Sequence, residues 1–178
     1  SNGTDSAIAW NNVIYNTAFA GVRLSVAGST DAEIHVVHNT LYNNNTVNGG
    51  DGRAPIVNSW NLTQRIVFLK NNIVHSGPFA TSYYTNYGTG SAVLSRNLYF
   101  GLNRGDVPQE DASPVGGRSD SRNPHFVAPA LGDFQLKRGS PAIDLAVDLP
   151  SPVIDDYQQT VRPNGSRSDV GAYEYIAR

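Results

Sequence analysis

Lys70-Asn71-Asn72-Ile73-Val74-His75 decides the reading of this chain, because variants of it stand at three other places. They are Trp10-Asn11-Asn12-Val13-Ile14-Tyr15, Val37-His38-Asn39-Thr40-Leu41-Tyr42 and Ser95-Arg96-Asn97-Leu98-Tyr99-Phe100. Aligning them superposes Asn12, Asn39, Asn72 and Asn97, at steps of 27, 33 and 25 residues. A β-rich run precedes each asparagine and a short apolar run follows it. Repetition on this scale is the mark of stacked structural units. A coil of short strands must bend between them, and asparagine tolerates the left-handed backbone such bends use. Parallel coils stack at roughly 4.8 Å, so aligned amides reach one another and form a ladder.

Working outward from the asparagines, positions three and five residues before each give Ala7 and Ala9, Ile34 and Val36, Val67 and Leu69, Ala92 and Leu94. All are apolar, as the inner face of a stacked sheet requires. Gly21 to Val26 alternates, with Val22, Leu24 and Val26 inward and Arg23 and Ser25 outward. Further strands are expected over Pro55 to Trp60 and Phe79 to Tyr84. The outward positions of the first sheet should be polar if they meet water, yet they include Ile8, Trp10, Val37, Phe68 and Val93. The expectation is that a loop, the C-terminal tail or another chain covers that sheet, the tail being the first choice. Helical periodicity is nearly absent, and the fold class is all-β: a parallel solenoid of three to four coils with an irregular C-terminal tail. Residues 1–101 form the coils, 102–122 an irregular loop, and 123–178 a closing segment.

Charge and composition exclude several functions. Lys plus Arg is 13 and Asp plus Glu 15, a formal charge of −2, where a nucleic-acid-binding surface would be strongly basic. No apolar run is long enough for membrane insertion. Without cysteine there is no disulfide, thiol catalysis or cysteine zinc site. Many Asn, Thr, Ser and Gly with few charges suit an exported bacterial β protein.

The tail has a grammar of its own. Asn123-Pro124-His125-Phe126-Val127 and Gly132-Asp133-Phe134-Gln135-Leu136 read as short strands, and Gly139-Ser140-Pro141-Ala142-Ile143-Asp144 as a helix start capped by Ser140. The chain closes with Arg162-Pro163 and Asp169-Val170-Gly171-Ala172-Tyr173-Glu174-Tyr175. The asparagine-bend repeats resemble right-handed parallel β-helix proteins of the pectate-lyase-like superfamily. The tail resembles the closing segment of exported bacterial β-helix proteins, with Asn123 where Asp is usual and Val170 where Ile is usual. The resemblance implies a secreted or cell-surface protein that cleaves, epimerises or binds acidic polysaccharide. The first coil has no clear first strand of its own. The expectation is therefore that these residues are the C-terminal part of a longer β-helix, with any active site shared with upstream coils, or that another chain covers the open end.

For chemistry, β-elimination from a uronate needs a cation for the carboxylate and a base for the α proton. Arg23, His35 and Lys70 are the candidates, with Asn58, Trp60, Tyr83 and Tyr84 as substrate-binding residues on outward faces. Hydrolysis would need two carboxylates about 5–10 Å apart, and the coils offer only Asp31 and Glu33 as a close pair. A lyase or epimerase fits better than a glycosidase. A non-catalytic glycan-binding or surface-assembly module and a structural end cap remain the alternatives. No cofactor or metal is implied. The tail acids Asp133, Asp144, Asp148, Asp155, Asp156, Asp169 and Glu174, with Arg138 and Arg162, read as salt bridges that pin the tail, a calcium ion being the lesser alternative.

Overall fold

A computed structural model describes residues 6–24, 33–49, 54–58, 66–86, 91–101, 122–149 and 153–177. Three parallel sheets carry the repeats. The first has the order β1 (Ser6–Trp10), β4 (Glu33–Val37), β7 (Ile66–Lys70), β10 (Ser91–Ser95). The second aligns β2 (Val13–Tyr15), β5 (Thr40–Asn44), β8 (Ile73–Ser76) and β11 (Leu98–Phe100). The third aligns β3 (Val22–Leu24), β6 (Ile56–Asn58) and β9 (Tyr84–Asn86). Each strand pairs with its counterpart one coil away, so the chain winds as a parallel β-solenoid.

In register, Ala7 faces Ile34, Ile34 faces Val67, and Val67 faces Ala92. The next inward rung is Ala9, Val36, Leu69 and Leu94. Ile34, Val36, Val67, Leu69 and Leu94 build the inner core with Leu41, Val74, Ile56 and Tyr99, and Ala92 packs against it; Ala7, on the first coil, is exposed. Hydrophobic burial inside the coil is the principal stabilising term, as in any solenoid whose units cannot fold alone.

At the bend between the first and second sheets the amides form a continuous ladder. Asn12 Nδ2 donates to Asn39 Oδ1 (2.8 Å), Asn39 Nδ2 to Asn72 Oδ1 (3.0 Å), and Asn72 Nδ2 to Asn97 Oδ1 (2.9 Å). The backbone N–H of Asn12, Asn39 and Asn72 follows its own amide to the same acceptor. Buried polar backbone at the bend is thereby satisfied.

The left-handed backbone of the bend, however, does not fall on the ladder. It falls one residue earlier, on Asn11, His38, Asn71 and Arg96, with φ of 54°, 52°, 58° and 52°. The two tasks assigned to one asparagine are divided between neighbours: one makes the turn, the next turns its amide inward.

Two further expectations are corrected. The third-sheet strand lies at Tyr84–Asn86 and not over Phe79 to Tyr84. Ser140 caps a turn, not a helix: its Oγ accepts from Ala142 N at 3.1 Å and donates to Pro124 O at 2.6 Å. Among the described residues the one helical element is the 3₁₀ turn Pro129–Leu131. It lies between β12 (Phe126–Ala128) and β13 (Asp133–Leu136), which pair antiparallel. The turn at 28–31, the loop 102–121 and Trp60 lie outside the described residues.

The tail covers the second sheet, not the first. Phe126, Phe134, Leu136, Ala142, Val170 and Ala172 form a second core with Ile73 and Leu98, and Val13, Tyr42 and Phe100 pack against it. Those strand residues are the outward-facing positions of the second sheet. Tyr42 stacks on His75 at 4.3 Å between centroids, and Phe134 closes on Tyr15 and Tyr42 at 5.1 Å. The chemistry of the strands contributes: the outward rungs of the second sheet are mostly apolar or aromatic, with Thr40 among them, while the first carries Glu33, His35 and Lys70 among its outward residues.

Candidate functional site

The described tail residues pack on the second sheet, and the outer face of the first is exposed only in part, Val37 and Ser95 being buried there. Its middle rung runs Ile8, His35, Phe68, Val93, and the rung beside it Trp10, Val37, Lys70, Ser95. Ile8 is 41% exposed and Trp10 43%. His35 lies flat on Phe68, centroids 4.6 Å apart and planes 14° from parallel. Lys70 Nζ sits 5.0 Å from the centroid of the same ring, a cation–π contact. His35 Nε2 is 3.2 Å from Glu33 Oε2. Parallel register thus stacks an aromatic pair, a cation and a carboxylate on one flat strip.

The sequence candidates divide. His35 and Lys70 meet around Phe68. Arg23 stands on the third sheet, opposite Val57 of the next coil, and does not join them. Asn58 and Tyr83, expected to face outward, are buried. Asn58 lies in the rung of Leu24 and Asn86, and Tyr83 packs in the inner core 5.0 Å from Tyr99. Tyr84 shares the rung of Val22 and Ile56 and packs against the inner core. Burial raises the pKa of its phenol, with a bond to the Asn58 side chain opposing the rise. Buried side chains offer nothing to a sugar, so this face is no binding platform at Asn58 or Tyr83. Tyrosine is as good a core residue as a surface one, and its sequence neighbours could not separate the two.

The residues that make the left-handed turn form a second row that sequence reasoning missed. Three of them, Asn11, His38 and Asn71, grip the tail. Asn11 Nδ2 donates to Asp155 O (2.7 Å); Asn71 Nδ2 donates to Val147 O and its Oδ1 accepts from Val147 N, both at 2.9 Å. His38 is buried between Asp169 O at 3.1 Å and Asn71 Nδ2 at 3.0 Å. A carbonyl on one side and an amide donor on the other fix the tautomer: Nδ1–H donates to Asp169 and Nε2 accepts. The doubled asparagine at Asn11-Asn12 and Asn71-Asn72 was the available signal.

Beyond this row the tail closes on Arg162. Its guanidinium pairs with Glu174, and both side chains are almost wholly buried. The remaining donors reach Asp155 O, Asp169 O, Gly171 O and Asn11 Oδ1. Burial pulls the Arg162 pKa down, while Glu174, Asp156 and Asp169 hold it up. Burial pushes the Asp169 carboxyl up to about 7, against backbone N–H donors from Asp144 and Tyr175. This cluster is structural: every carboxylate in it is occupied by backbone or by Arg162. Among the described residues Arg138, expected to share in it, pairs with no carboxylate. Among the described residues no group of three or more His, Asp or Glu side chains is placed to hold a metal ion.

These groups set a pH dependence. Burial, then the charge of Arg162, lowers the His38 pKa from 6.5 to about 3, and burial lowers that of His75 to about 4. Between pH 4 and 6.5 the unfolded chain binds the two protons that the folded histidines refuse, while folded Asp169 keeps one that the unfolded chain releases. The net is one proton more in the unfolded state. Stability contributed by the three groups together should fall by about 1.4 kcal/mol per pH unit as pH drops through that window. Urea midpoints at pH 6.5 and 4.5 check the slope, and the imidazole ¹⁵N shifts of His38 should report a neutral ring at pH 5.

No family model matches the chain, and no match was found among curated proteins or solved structures.

Proposed function

We propose that this chain is a right-handed β-solenoid of the pectate-lyase-like kind, from an exported bacterial protein, that binds acidic polysaccharide along the outer face of its first sheet. The observation that carries the reading is the partly exposed strip of Trp10, His35, Phe68 and Lys70. Aromatic and aliphatic side chains in flat register suit the C–H faces of sugar rings, and Lys70 supplies a cation for a uronate carboxylate. Right-handedness is supported by the near-uniform hand of crossovers between parallel strands.

Glycan-array binding followed by titration with pectate, alginate and glycosaminoglycan tests it. A Trp10→Ala/Phe68→Ala double variant should weaken binding at least tenfold with its fold intact by circular dichroism. Unchanged affinity in that variant would remove the strip.

A second reading, elimination or epimerisation on the same strip, rests on His35 and Lys70 meeting at one ring. With Nε2–H donating to Glu33, Nδ1 of His35 is the basic nitrogen, and Lys70 is the partner for the substrate carboxylate. Absorbance of an unsaturated uronate product separates the lyase from the binding module.

A further inference from the structure

Arg138 was expected to pin the tail and does not. It occupies the turn after β13, where Ser140 N returns to Lys137 O at 3.0 Å and Gly139, at φ 79°, supplies the left-handed residue. The backbone of Lys137 is held by His125 O at 2.9 Å. The turn therefore presents two adjacent cations from a fixed base. Among the described residues neither is paired with a carboxylate. In a chain of net charge −2, two unneutralised cations side by side on an ordered turn call for an explanation.

Both border a cavity of about 390 Å³ between β13 and the C-terminal segment. That volume lies within the range of small-molecule sites. Gln135 and Gln158 contribute amides to its wall, and Tyr175 and Ile176 an aromatic and an aliphatic surface. Glu174 also borders it, but does not oppose an anion freely. Its Oε1 receives Arg162 and Asp169 N, and its Oε2 receives Asn164 N at 2.8 Å. The cavity is thus net cationic, with hydrogen-bonding and apolar walls.

We propose that this cavity is a second binding site, on a different face from the strip, that takes a carboxylate-bearing sugar. Arg138 and Lys137 meet the carboxylate, the planar guanidinium fork matching its two oxygens. The two glutamines face the hydroxyls, and Tyr175 with Ile176 the apolar face of the ring. The choice of a sugar acid over another carboxylate rests on the polysaccharide reading; the anion preference rests on the cavity alone.

The test is a titration of the ¹⁵N-labelled chain with galacturonate and short oligogalacturonates, with galactose and a short acidic peptide as comparisons. Amide shifts at Gln135, Lys137, Arg138 and Tyr175 should saturate with the uronates and stay unmoved with galactose. A Lys137→Gln/Arg138→Gln variant should bind at least tenfold more weakly, with unchanged circular dichroism because both side chains are exposed. Trp10→Ala/Phe68→Ala should leave these shifts as they are, so the strip and the cavity fail independently. Shifts absent with uronates, equal with galactose, or produced by the peptide alone overturn the proposal.

Discussion

Arg162→Met should lower folding stability by about 3–5 kcal/mol, because it leaves Glu174 buried without its counter-charge. For a domain of this size that is a fall in melting temperature of roughly 10 °C. The loss goes beyond one ion pair. Arg162 also ties the carbonyls of Asp155, Asp169 and Gly171 to Asn11 in the first coil. Glu174→Leu alone should cost a similar amount, since it strands the cation and two backbone donors, Asn164 N and Asp169 N. The double variant should be less damaging than the sum, and the shortfall measures the coupling. Thermal unfolding of the four proteins completes the cycle. A loss under 1 kcal/mol in Arg162→Met would mean the tail is held by its apolar contacts alone.

The second large effect belongs to the amide ladder, and its size should depend on position. Asn72→Ala removes the acceptor of Asn39 N and Asn39 Nδ2, and the donor to Val36 O and Asn97 Oδ1. Asn39 Nδ2 keeps Ala9 O and Val37 O, and Asn97 Oδ1 keeps Asn72 N, but Asn39 N loses its acceptor in a buried site, and a buried group left without a partner costs about 1–3 kcal/mol. With the void the side chain leaves, a total of about 3 kcal/mol is expected. Asn12→Ala removes the same side chain from an exposed rung, where Asn39 Oδ1 keeps its bond from Asn12 N. Water replaces what is lost, and the cost should stay below about 1 kcal/mol. Urea denaturation of both variants decides the matter. Equal losses would show that the side chain acts through local turn geometry rather than through the ladder.

The solenoid was legible because two signals agreed. A strand alternates every two residues, and counting back from each asparagine gave Ala7, Ile34, Val67 and Ala92 as one rung, which is the register observed. The third sheet was harder, since its strands have three residues and alternation over three is no pattern. Asn58 and Tyr83 were accordingly assigned to the wrong face. The placement of the tail was not legible at all. Apolar residues on the outside of both sheets advertised two surfaces to cover, and only one tail was available. Polar partners help to decide between them: Thr40 Oγ1 accepts from Ala172 N, His38 Nδ1 donates to Asp169 O, and Asn71 donates to Val147 O and accepts from Val147 N, all beside the second sheet. Single hydrogen bonds between residues 76 and 132 positions apart leave no trace in a periodicity.

The path of the tail has a consequence for what can be inserted between the coils it touches. Asp155 and Arg162 meet Asn11 in the first coil, Asp169 and Ala172 meet His38 and Thr40 in the second, and Val147 and Gly171 meet Asn71 in the third. The closing segment therefore runs along the axis like a ruler graduated in coils. An extra turn spliced into the repeats would shift every mark beyond it by roughly 4.8 Å, too far for any of these bonds. Repeat proteins ordinarily lengthen and shorten by whole units; here the strap fixes the spacing of the three coils it touches.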